Sequence, residues 1–156
     1  MGWPFTPVRR PAHVLAAANA MLEIVADTGG EANLIRLQRM LVLAQCRSLE
    51  LSGRPLFDAH VVILGDTPGM TQIHDAFRPY GIMPITAPAQ HRDLPFPHPA
   101  DTDLERLAIM REIVHGCRNV SGYGLGMALR RMAPDARNGD ILPPETLGRP
   151  FQELVA

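Results

Sequence analysis

Two cysteines, Cys46 and Cys117, and six histidines, His13, His60, His74, His91, His98 and His115, are the side chains with the widest chemistry: nucleophile, general base or metal ligand. Their spacing supports none of these uses. Neither cysteine has a second cysteine or a histidine at metal-finger distance, and the HExxH arrangement is absent. Both cysteines fall inside helical patterns, where a free thiol packs as a small hydrophobe. His74 and Arg78 are four apart beside Asp75 and therefore share a helix face, which equally describes a solvated surface.

Ser121 lies in NVSGYGLG, where Asn119 replaces the first glycine of a GxSxG elbow, so capping a helix is its better role. Gly122, Gly124 and Gly126 follow no convincing strand, and close helix packing or a loose first turn explains them better than a phosphate loop. Asp66 with Asp75, and Asp101 with Asp103, are carboxylate pairs with nothing to show convergence. All fifteen basic residues are arginine. Schiff-base and phosphate-loop lysines are thereby excluded, and every cation is a planar, permanently charged fork. Arg130 and Arg131, with Arg137 nearby, form a small basic patch at a helix C-terminus that suits an acidic partner. We expect no catalytic residue, no metal ligand and no cofactor.

The element that would position these groups is the stretch Asn33 to Phe57. Leu34, Leu37, Leu41, Ala44 and Leu51 recur at steps of three, four or seven and line one stripe of a helix near residues 33–52. Ile35, Met40 and Leu43 widen the buried face, which predicts a central helix with neighbours on several sides. Asn33 is its N-cap, and Gly53 and Pro55 close it. A first helix spans Pro11 to Asp27, ended by Thr28-Gly29-Gly30. Ala59 to Leu64 fits a strand or a helical turn, Gly65 to Gly69 a turn, and Met70 to Tyr80 a helix with Ile73, Phe77 and Tyr80 on one face. Five prolines between 82 and 100 predict a long irregular loop. Helices follow at Asp101 to Cys117, with Leu104, Leu107, Ala108 and Val114 at helical spacing and Thr102 and Glu105 as a capping box, and at Ser121 to Met132, with short pieces near 145–147 and 151–154. The expected fold is all-α: a compact bundle of about five to six helices in a single domain, 11–156, behind a Trp- and Pro-containing arm, 1–10.

With 46% apolar and 20% charged residues in 156, the composition is that of an ordinary globular protein. No apolar run reaches 18 residues and no secretory layout opens the chain, so we expect a cytoplasmic protein with no membrane partner. A net charge of -1 gives no general attraction to nucleic acid.

The order of these signals resembles the Panacea domain family, which includes SocA-like antitoxins and phage-associated GepA-like proteins. LIRLQRMLVLAQCRSLELSGRPLF is similar to the family's lKLqKLLYlaq helix and its following La..g.pLf, with Arg36 and Arg39 for the usual lysines and Val42 for the tyrosine. Thr67-Pro68-Gly69, Ile73-His74 and Arg78-Pro79-Tyr80-Gly81 stand where the family has GPV and vY....k.yG. The family's Trp near Leu64 and its Gly-Pro-Val are absent, which marks a divergent member. The resemblance implies a helical protein without established catalytic residues that binds another protein: a toxin-antitoxin partner, or a toxin delivered to a protease complex. Partner-binding residues are expected at Pro68, His74, Arg78, Tyr80, Arg130 and Arg131. A structural or assembly subunit of a phage or other mobile element, which includes homo-oligomers, and an enzyme using a cysteine or histidine are the alternatives left open.

Overall fold

A computed structural model describes residues 11–91, 94–95, 104–148 and 150–155. The N-terminal arm and the Thr102 capping position lie outside them. The chain runs β1 (Ala12–His13), α1 (Val14–Asp27), α2 (Leu34–Ser52), β2 (Phe57–Asp58), β3 (Val61–Leu64), β4 (Thr67–Gly69), α3 (Thr71–Phe77), a 3-10 turn (Arg78–Tyr80), β5 (Gln90–His91), β6 (Leu94–Pro95), α4 (Leu104–Gly116), α5 (Gly122–Arg130), β7 (Ile141–Leu142), a second 3-10 turn (Pro144–Thr146) and α6 (Pro150–Val155).

The fold is mixed α/β, not all-α. Helices dominate, but β4, β3 and β7 form an antiparallel sheet in that order, β1 pairs in parallel with β2, and β5 pairs with β6. The strands are two to four residues long, too short for period-two alternation to register in the sequence. β3 resolves the ambiguous Ala59–Leu64 run. Thr67–Gly69, expected as turn, is a strand returning from the Gly65-Asp66 bend, where Gly65 takes φ +75°. The irregular loop over 82–100 contains the β5–β6 pair. Pro11 opens no helix: Ala12 and His13 are extended against Phe57 and Asp58, and α1 starts at Val14 with the His13 imidazole accepting from the Leu15 amide.

α2 is the centre, in contact with α1, α3, α4, α5, α6 and β4. Asn33 caps it, accepting from the Arg36 amide at 2.9 Å, and Gly53 ends it in the left-handed region at φ +70°. Leu37, Met40, Leu41, Leu43 and Ala44 are fully enclosed. Two expected core positions are not: Leu51 is 53% and Ile35 48% exposed. Leu104, at the start of α4, is also exposed, and Ala108 faces outward, while Ile109, Met110, Ile113 and Val114 carry that helix's buried face.

The irregular segments are fastened to the helices by buried polar side chains. The Asn19 amide donates to the Ala89 carbonyl at 3.1 Å and accepts from its amide at 2.7 Å. Gln38 does the same for Met70, at 2.8 and 2.9 Å. Gln45 accepts from the amides of Leu56 and Phe57 and donates to the Phe57 carbonyl, and Ser48 donates to the Arg54 carbonyl. These side chains take the place of a strand partner or water for loop main-chain groups, and at Met70 the carbonyl also accepts from the His74 amide at 3.2 Å.

The Gln38 clasp explains Gly69. A Cβ there would sit 2.9 Å from Leu64 Cδ1 and 3.1 Å from Gln38 Cδ. Gly69→Ala therefore has to move the Leu64 methyl aside and shift Gln38 in its clasp on Met70. The expected loss is about 1–3 kcal/mol in urea unfolding, the usual range for overpacking.

Candidate functional site

Between α2, the β3–β4 hairpin and α3 lies a groove of about 630 Å³. Leu34, Ile35, Gln38 and Arg39 give its α2 wall, residues 64–68 the hairpin wall, and His74, Arg78 and Gly81 the third side, with Asn138 at one end. The helical period dictates the α2 wall, because Leu34 with Gln38 and Ile35 with Arg39 are pairs four residues apart. Asn138 is fixed there by accepting from the Gly65 amide at 2.9 Å.

The groove gathers positive charge. Arg130, on the last turn of α5, is ion-paired with Asp66 at the hairpin tip. The Arg39 guanidinium donates to the Gly122 carbonyl and lies over Gly126, where a Cβ would come within 3.1 Å of it. Close packing, one of the two reasons expected for that glycine string, is what Gly126 provides, against the Arg39 side chain. Burial, and next the repulsion of Arg130, hold the Arg39 pKa below its ordinary value, while Asp66 opposes both. Arg39 remains a cation at neutral pH, since arginine starts so high. Arg78 and His74 are exposed and make no ion pair among the described residues.

Of the six expected partner-binding residues, Pro68, His74 and Arg78 line the groove, and Arg130 reaches its edge through Asp66. Tyr80 is half-buried, its ring centroid 6.4 Å from that of Phe77, and Arg131 is exposed at the C-cap of α5; neither lines the groove. Leu34, Ile35, Gln38, Arg39, Asp66 and Asn138 were not expected. Ile35 and Arg39 carried a usable signal, because both stand off the leucine stripe of α2 and share one face.

Chemistry by a thiol finds little support in the geometry. Both cysteines are buried, and burial pushes the Cys46 thiol up to about 12 and the Cys117 thiol up to about 11, from an ordinary 9.0. Below pH 9 both are protonated in the folded and unfolded chain alike. Above it the unfolded thiols ionise while the folded ones keep their protons, so the native state binds more protons and stability falls as pH rises towards 11 and 12. With about 1.4 kcal/mol per pH unit for each thiol, wild type should lose about 2–3 kcal/mol more than a Cys46→Ala/Cys117→Ala variant between pH 8 and pH 10. Urea unfolding at the two pH values measures the difference.

Among the described residues, no group of three or more His, Cys, Asp or Glu side chains could hold a metal ion, and no helix is long and apolar enough to cross a membrane. Comparison with family models, curated proteins and solved structures found no match.

Proposed function

We propose that the chain is a protein-binding module of the antitoxin or proteolytic-adaptor kind, and that its partner docks on the groove between α2, the hairpin and α3. The observation that carries this is the groove's make-up. Its lining sets the accessible Ile35 and Leu64 beside Arg39 and Arg78, with Leu34 and Pro68 buried in its walls, the combination of apolar and arginine side chains common at protein interfaces. Beside it, Ile82 and Met83 follow Gly81 out of the groove wall at 80% and 63% exposure. Apolar side chains so exposed next to a groove are typical of surfaces that another protein covers. The likeness of α2 and of the segment around Thr67–Gly81 to the Panacea pattern supports the same reading and suggests a toxin as the partner.

Co-expression with each adjacent reading frame tests it. One neighbour is expected to be toxic alone, tolerated with this chain and co-purified with it. If every neighbour is harmless alone and none co-purifies, the proposal fails.

A further inference from the structure

Among the described residues that line the groove, Asp66 is the only carboxylate, beside the cations Arg39 and Arg78, and Arg130 stands at the edge. Arg130 pairs with it directly, Arg39 is within electrostatic reach of both, and Arg78 lines the same groove, exposed and with no ion pair among the described residues. Three arginines against one carboxylate leave two positive charges in excess, on a chain whose net charge is -1. An excess of one sign in a cleft with apolar walls attracts the opposite sign more strongly than scattered surface charge does.

From this charge complementarity we infer that the groove takes a short acidic-aliphatic segment of a partner protein: one or two carboxylates received by Arg78 and by the Arg39–Arg130 pair, flanked by aliphatic side chains lying on Ile35, Leu64 and the Ile82–Met83 shelf. Asp66 then acts as a built-in surrogate for the incoming carboxylate, holding Arg130 in place in the free protein and competing with the partner for it. A nucleic-acid backbone fits less well. It would bring no apolar groups to the exposed Ile82 and Met83.

The inference rests on the protein-binding function proposed above, and it can be read without the natural partner. The probe is a random dodecapeptide library displayed on phage and panned on the full chain, with a selected peptide then measured by fluorescence anisotropy. Enriched peptides should carry aspartate or glutamate next to leucine, isoleucine or methionine. Arg78→Glu changes an exposed side chain with no ion pair among the described residues and should leave the melting temperature unchanged. It should weaken the selected peptide about five- to tenfold, since an exposed charge pair is turned into a repulsion. Asp66→Asn removes the competitor and should tighten binding about three- to fivefold.

No enrichment, enriched peptides without acidic residues, acidic peptides held equally by Arg78→Glu, or a fluorescein-labelled single-stranded oligonucleotide that binds more tightly than the best peptide would each overturn it. Failure of the broader function shows differently, as co-expression in which nothing co-purifies. Failure of this inference alone shows as a stable natural complex that Arg78→Glu and Asp66→Asn leave unaffected.

Discussion

Gln38→Leu is expected to lower stability by about 1–3 kcal/mol, because leucine fills most of the same space but leaves the buried Met70 amide without a partner, while the Met70 carbonyl keeps only the His74 amide. The side chain holds both the amide and the carbonyl of Met70, a residue with no exposed surface. Met70 joins the end of β4 to α3 and precedes that helix without any side-chain cap of its own. Losing the clasp therefore frees the third wall of the groove as well. In native-state hydrogen exchange, the amides of 67–77 should open at lower free energy than those of α2. An unchanged urea midpoint would mean that another group satisfies Met70.

Leu41→Ala, and equally Leu37→Ala, should cost about 2–5 kcal/mol, the range for deleting most of a buried leucine and leaving a cavity that the surroundings fill only in part. Both leucines have no exposed surface and sit where α2 meets most of the other helices. Against a total stability of about 5–15 kcal/mol, either change could bring a chain of this size close to unfolding at 37 °C. Urea unfolding measures it, and near-neutral effects at both positions would contradict the placement of α2 at the centre.

The helices were legible because each repeats a pattern over several turns. The Asn33 cap, the Gly53 stop, the Ser121 cap and the buried stripes of α1 and α2 follow from spacing alone. The strands were not, since two to four residues cannot show a period, and β3 was assigned only as one of two options. Leu51 and Ile35 were misplaced for a different reason: apolar periodicity gives the direction of a stripe but not its width or its ends. Ile35 and Leu51 lie near the two ends of α2, where fewer neighbours remain to cover them.

The groove was half legible. Pro68, His74 and Arg78 stand on consecutive elements of one segment, so their convergence is local. Arg39, Asp66 and Asn138 come from three distant parts of the chain and meet only because the Gly65-Asp66 bend folds over the end of α5. The buried amides of Asn19, Gln38 and Gln45 were the least visible. In sequence each interrupts an apolar stripe as a surface residue would, and only the loop main chain that they grip explains their burial.

Amide hydrogen exchange of the chain alone and bound to the product of a co-expressed neighbour tests the central claim most directly. Exchange is predicted to slow on binding across 34–39, 64–68 and 74–83, the three sides of the groove and its apolar shelf, with α4 unchanged. Slowing confined to other faces, or neighbours that never form a complex to measure, would contradict it.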